Sequence, residues 1–289
     1  MKFIPAGIAG SEDCREGCNL LTRSITAIVG AVAVFIIIYL DGRMVAAAAL
    51  LLSAAGLYEY ARMMKSAGHK VYTVYAFAAA AVALTGAAFS LHFFLAGLLL
   101  SFIILSVKML FVSKEEFDAL LVTGLGALYI GIGMGSVVLL RNAQFILDPS
   151  FVSIDRGIFF VWFVLLGTWA SDTFAYFIGK AFGCHPMAPH ISPQKTVEGL
   201  AGGIIGTVLL GMIYSFYFRY PLLDGILLGI LLAAVSPAGD LFESFLKRVC
   251  GIKDSGNLLP GHGGILDRVD SLMFAAPAAV VFLIIAGQL

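Results

Sequence analysis

Apolar residues along this chain come in blocks of about 20, the length that crosses the hydrocarbon core of a bilayer as a helix, with short polar breaks between them. Read in order, the blocks predict nine spans over residues 22–40, 44–61, 71–90, 92–112, 119–140, 157–180, 197–218, 222–243 and 269–288. The third and fourth admit another split around Ser90-Leu91-His92. The expected fold class is all-α, a polytopic membrane protein with about nine transmembrane helices. Residues 1–21 read as a cytosolic lead-in and not a signal peptide, because Pro5 and Gly7 interrupt the apolar run and Ser11-Glu12-Asp13 follows it. Residues 22–156 read as transmembrane scaffold. Residues 157–289 read as a transmembrane catalytic region with two cytoplasmic loops, 180–196 and 244–268.

Composition agrees with the pattern: 60% of the 289 residues are hydrophobic and the mean hydropathy is +0.98. A net charge of zero supplies no basic face for nucleic acid. The four cysteines, Cys14, Cys18, Cys184 and Cys250, give no disulfide framework. Gly124, Gly126, Gly131, Gly133 and Gly135 read as small residues for close helix packing and not as a phosphate loop. With nine crossings, fourteen of the eighteen Lys and Arg fall on one side, leaving Arg43, Arg141, Arg156 and Arg219 opposite. By the positive-inside rule the fourteen are cytoplasmic, which puts the N-terminus inside and the C-terminus outside.

One polar stretch stands out from this background, DLFESFLKRVCGIKDSGNLLPGHGGILDRVD over residues 240–270. Asp240, Glu243, Ser244 and Lys247 are spaced to share one helical face, and Asp267 and Asp270 stand three apart at the start of the last apolar block. Gly251 and Ser255-Gly256 break the helix, Pro260-Gly261 marks a turn, and Gly263-Gly264 permits positive φ or close backbone approach. Paired carboxylates suit Mg²⁺, while Lys247, Arg248, Lys253 and Arg268 suit phosphate. Together they point to a metal-bound nucleotide polyphosphate.

A second constellation lies between the sixth and seventh spans. Asp172, Tyr176 and Lys180 share a helical face, and Ser192-Pro193-Gln194-Lys195-Thr196 leads into a helix N-terminus, which favours anions. A carboxylate at Asp172, inside an apolar helix, costs about 3 kcal/mol unless it meets a cation or water. Lys195 is the expected second clamp on a triphosphate. His185 and His190 read as solvated loop residues, and Glu198 either as a helix N-terminal carboxylate or as a site residue.

The run from Ser244 through Lys247-Arg248 and Lys253-Asp254 to Pro260, His262-Gly263-Gly264, Asp267-Arg268 and Asp270 resembles the signature of the phosphatidate cytidylyltransferases, or CDP-diacylglycerol synthases. The run from Asp172 to Gly199 is similar to the same family, departing from it at Cys184, where the family often has a basic residue. The resemblance implies transfer of CMP from CTP to phosphatidic acid with release of pyrophosphate. It also implies Mg²⁺, a second cation such as K⁺, a homodimer among membrane lipid, and a bacterial inner (plasma) membrane location. The acceptor phosphate is already an anion, so the site has to screen charge, align the α-phosphorus and neutralise the leaving group. The expected catalytic residues are Asp240, Lys247, Arg248, Lys253, His262, Asp267, Arg268 and Asp270, with Asp240, Asp267 and Asp270 as metal ligands. Asp172 and Glu243 stand behind them, either supporting those ligands or adding to them. Substrate and cofactor binding is expected at Asp172, Lys180, Ser192, Lys195, Thr196, Ser244, Gly263 and Gly264. Two other readings share parts of this pattern: a CTP-dependent transferase acting on another lipid phosphate, and an ion- or proton-coupled transporter using Asp172 and the Gly-rich helices. Clustering of the charges at one membrane face and not at the midplane speaks against the transporter.

Overall fold

The computed structural model describes residues 26, 28–145, 155–252, 254–256, 258 and 263–289, without the side chains of residues 114 and 115. Among the described residues nine helices follow one another. They are α1 (Ile28–Tyr39), α2 (Gly42–Ser66), α3 (Thr73–Ala87), α4 (Leu91–Met109), α5 (Lys114–Asn142), α6 (Arg156–Phe182), α7 (Val197–Phe218), α8 (Leu222–Val249) and α9 (Leu266–Ile285). Seven are long and apolar enough to cross a membrane, whereas α1 and α3 are shorter apolar helices. The molecule is therefore a predominantly helical integral membrane protein. Its flanks carry the apolar surface that lipid covers, with Val74, Phe89, Phe111, Phe216 and Ile285 each more than three-quarters exposed.

Local chemistry sets the helix starts. The Ser90 hydroxyl accepts from the Phe93 N–H at 3.4 Å, which places the boundary between α3 and α4 at the turn over 88–90. Ser113 caps α5 and Asp155 caps α6 in the same way. Three elements run well past the apolar blocks that mark them in the sequence, α2 among them, which ends at Ser66 and not at residue 61. α5 extends about 43 Å at 1.5 Å per residue, and α8 continues beyond residue 243 through Lys247 and Arg248 to Val249. Hydropathy marks where lipid ends, while the backbone ladder continues until Gly251, at φ +68°, turns it.

Between α6 and α7 the chain forms a small antiparallel ribbon absent from the all-α expectation, β1 (Pro186–Ala188) paired with β2 (Ser192–Thr196). Pro186 lies opposite Thr196 and Ala188 opposite Ser192, with an irregularity between them. Ribbons this short carry no hydrophobic periodicity to announce them.

Helices α6 to α9 pack in sequence, and α5 joins them to the α2–α4 group through contacts with α2, α3 and α9. The glycines of α5 serve packing: Gly126 faces the Tyr60 ring, Gly133 the Met273 side chain and Gly135 the Phe94 ring. Away from the polar site, Phe159, Phe160, Phe163, Tyr214, Phe218 and Tyr220 form an aromatic cluster with ring centroids 4.9–6.0 Å apart. At the same end Arg141 ties three elements together, donating to the Ile38 and Leu40 carbonyls at 3.0 Å and pairing with Asp155 at 3.3 Å.

Candidate active site at one end of the bundle

The polar residues converge where α6 and α8 end and α7 and α9 begin. Close backbone approach makes this convergence possible. A Cβ on Gly239 would meet the Asp270 carbonyl and lie 3.1 Å from Ser271 Cα, so α8 and α9 touch backbone to backbone beside both Asp240 and Asp270. The β ribbon brings Lys195 across from its other side. Lys195 Nζ lies 2.6 Å from Asp240 Oδ2 and donates to the Pro237 carbonyl at 3.4 Å.

Two charge clusters result. The first gathers Asp240, Asp270 and Asp172 around Lys195, all within electrostatic reach of one another. The Ser244 hydroxyl donates to Asp240 Oδ1 at 3.2 Å, and Asp270 Oδ1 accepts from the Ser271 N–H at 2.6 Å. The Asp240 side chain keeps 34% of its surface exposed and Lys195 24%, so this cluster is open to a ligand.

The second cluster is closed. Lys247 Nζ donates to Asp267 Oδ1 at 2.6 Å and to Glu243 Oε2 at 3.1 Å. Asp267 Oδ2 accepts from the Ser255 N–H at 3.2 Å, the Ser255 hydroxyl at 2.8 Å and the Gly264 N–H at 3.0 Å. Both oxygens of Asp267 are thus engaged in holding Ser255 and Gly264 to Lys247 of α8. Glu243 is fully buried, and its Oε1 has no hydrogen-bond partner among the described residues although Asp267 and Asp270 are within electrostatic reach.

A residue that no motif marked completes the loop. Glu59, on α2 and 1% exposed, accepts from the Ile265 N–H through Oε1 at 3.0 Å and from the Leu266 N–H through Oε2 at 2.9 Å. The carboxylate sits at the N-terminus of α9, where it satisfies two donors that have no intrahelical partner and opposes the helix dipole. A Cβ on Gly264 would lie 2.8 Å from Glu59 Oε2, and Gly263 takes φ +79°. Positive φ and close approach are both used in the Gly-Gly pair, and the groups approached at Gly264 are the Ser255 hydroxyl and this carboxylate. A Tyr-Glu-Tyr triplet within an apolar block was the available signal, since a lone carboxylate there needs a partner.

The remaining expected residues fall into place around these clusters. Thr196 caps α7, accepting from the Gly199 N–H at 3.1 Å. Glu198 braces the loop before the ribbon: Oε2 accepts from the Cys184 and His185 N–H groups, and Oε1 lies 2.5 Å from His185 Nδ1. Lys180 lies over the Tyr176 ring at 5.6 Å. Arg248 and Arg268 are exposed on α8 and α9, and Ser192 is half-buried on β2. Cys250 is buried against Met64 Sδ at 3.9 Å, and burial pushes its thiol pKa up. Lys253, His262, Pro260, Cys14 and Cys18 lie outside the described residues, as does the lead-in over 1–21.

Among the described residues no three His, Cys, Asp or Glu side chains are gathered tightly enough to hold a metal ion. The donor chemistry nevertheless suits hard cations: three carboxylates share one ammonium, and a buried carboxylate oxygen beside Asp270 has no partner.

Fold and site together define an integral membrane protein with a centre of carboxylates and lysines at one end of its helical bundle. The chain belongs to the cytidylyltransferase family, whose model matches residues 21–286. Among similar proteins, a phosphatidate cytidylyltransferase of Synechocystis sp. is 33% identical over 91% of this chain and 96% of its own length. Those of Bacillus subtilis and Haemophilus influenzae are 37% and 40% identical. The Bacillus match covers 61% of this chain and 62% of the relative, and the Haemophilus match 50% of each.

Proposed function

We propose that this protein transfers CMP from CTP to phosphatidic acid, giving CDP-diacylglycerol and pyrophosphate. The observation that carries the reading is the open Lys195–Asp240 cluster with Asp270 and Asp172, in a chain whose near full-length relative is named phosphatidate cytidylyltransferase. A lipid-phosphate oxygen forms the new bond to the α-phosphorus. The bond from that phosphorus to the β-phosphate bridging oxygen breaks, and its electron pair leaves with pyrophosphate. No general base is needed, because the attacking oxygen is already ionised.

Mg²⁺ would be held by Asp240 and Asp270 with Asp172, and the unpartnered oxygen of Glu243 offers a place for a second cation such as K⁺. Bound there, a metal ion offsets the negative charge of the reacting phosphates. Asp267, with both oxygens engaged, acts by holding the loop. Lys195, drawn to Asp240 in the free protein, is the cation positioned to turn toward the triphosphate. Nine crossings would leave this end cytoplasmic, where soluble CTP and a leaflet lipid can both reach it; the split of basic residues supports this orientation. The assembly is a homodimer by family resemblance.

The test is pyrophosphate release by the purified protein from CTP and Mg²⁺. Release that requires added phosphatidic acid, with CDP-diacylglycerol formed in equal amount, is the expected result. Release without lipid, or none with it, would overturn the assignment.

A further inference from the structure

A second polar cavity lies outside this centre. It occupies about 610 Å³ between the end of α2 and the start of α3, and Arg62, Lys65, His69 and Lys70 line it together with Tyr58 and, among the described residues, no carboxylate. Among the described residues Arg62, Lys65 and Lys70 form no ion pair, whereas Lys195 and Lys247 in the catalytic centre are each held by carboxylates. Concentrated positive charge in a concave site, without an ion-pair partner among the described residues, calls for an anion.

The surroundings indicate which kind of anion. Lys70 Nζ lies 4.8 Å from the Tyr72 ring centroid, and Lys108, reaching over from α4, lies 4.9 Å from Tyr72 and 3.5 Å from Tyr75. Tyrosines flanked by lysines mark the headgroup level of a bilayer. Just beyond them the surface turns apolar, with Val74 80% exposed. Tyr58 stays 56% exposed on the cavity wall. A ligand seated here meets cations at one end and lipid-facing surface at the other.

We infer that the cavity between α2 and α3 binds the phosphate of an anionic phospholipid from the surrounding leaflet, at a site separate from the catalytic centre. Arg62, Lys65 and Lys70 would contact the phosphate, and Tyr58 would border the glycerol and acyl region. None of these residues belongs to the two charge clusters of the catalytic centre, so occupancy here does not require catalysis.

Photoactivatable phosphatidylglycerol, incorporated in nanodiscs with the full-length protein, tests this directly. Adducts on peptides covering residues 58–73 should exceed those from a matched phosphatidylcholine probe several-fold. They should fall about five-fold for each of Arg62→Gln, Lys65→Gln and Lys70→Gln, equivalent to ~1 kcal/mol per cation. Excess inorganic pyrophosphate should leave them unchanged. Equal labelling by phosphatidylcholine would reduce the site to ordinary annular lipid. Competition by pyrophosphate would assign the cavity to a soluble anion, and labelling that survives all three substitutions would remove the cations from the site. Each of these results overturns the inference. The single variants are read only while they elute as the wild type does; if the triple variant fails to fold, an unchanged adduct yield in Lys65→Gln alone is sufficient to reject it.

Discussion

Asp240 and Asp267 are both acidic residues beside a lysine, yet their surroundings assign them different work. Asp267 is bound through both oxygens to Lys247, Ser255 and Gly264. Replacing it by Asn removes the charge facing Lys247 and puts an amide donor among donors. Asp267→Asn should therefore cost about 3 kcal/mol of stability as well as activity, seen as a lowered midpoint in thermal unfolding. Asp240 is more accessible, with Lys195 as its ion-pair partner, so Asp240→Asn should lose at least about a hundredfold in kcat with an unchanged unfolding midpoint. A normal midpoint for Asp267→Asn would restore it to the ligand set. Glu59→Gln belongs to the first kind. One carboxylate oxygen becomes an NH₂ facing the Ile265 or Leu266 N–H, and leaving one such donor unpaired costs about 1–3 kcal/mol. Turnover should fall because the start of α9 carries Asp267 and Asp270, and Glu59→Asp, a methylene too short, should not restore it.

Among the elements, the crossing of α8 and α9 matters most for the chemistry. Gly239 leaves no room for a side chain against the Asp270 carbonyl and Ser271 Cα. Backbone atoms cannot rotate aside as a side-chain tip can, so Gly239→Ala must separate the helices where Asp240 and Asp270 face each other. Overpacking of this kind costs about 1–3 kcal/mol, and kcat should drop at least tenfold. An alanine enzyme with wild-type kcat would show that the carboxylate spacing tolerates the shift. The β ribbon acts similarly on Lys195. Because the Thr196 cap and the Glu198 brace fix its two ends, Glu198→Gln should loosen Lys195 and raise the KM for CTP more than it lowers kcat, a split that steady-state kinetics reads directly.

At the scale of the whole molecule, the cavity between α2 and α3, the ribbon and the loop after α8 should share one aqueous side. Single cysteines introduced at Lys65, Gln194 and Asp254, in a chain lacking its own cysteines, should all resist an impermeant thiol reagent applied to intact cells. All three should react once the membrane is opened. Labelling of any one from outside would invert that segment and separate it from the site. The α3 helix is the sensitive point, since its 15 residues rise only about 22 Å as a helix, short of the hydrocarbon thickness.

Much of this was readable in the chain because its causes are local. Hydrophobic block length found each helix, with ends off by up to about six residues, the hydroxyl of the Ser192–Thr196 segment stood before a helix N-terminus, and the spacing of Asp240, Lys247, Asp267 and Asp270 put polar side chains at the ends of α8 and α9. The division of labour among those carboxylates was not local. Whether an aspartate faces an open cluster or a closed one depends on which lysine arrives from another element, Lys195 from the ribbon or Lys247 from the helix face. The role of Glu59 was further out of reach, since the N–H groups it satisfies lie more than two hundred residues away along the chain. Periodicity records only whether a position meets lipid or protein; only the packing of α2 against the start of α9 decides which helix end that buried charge completes.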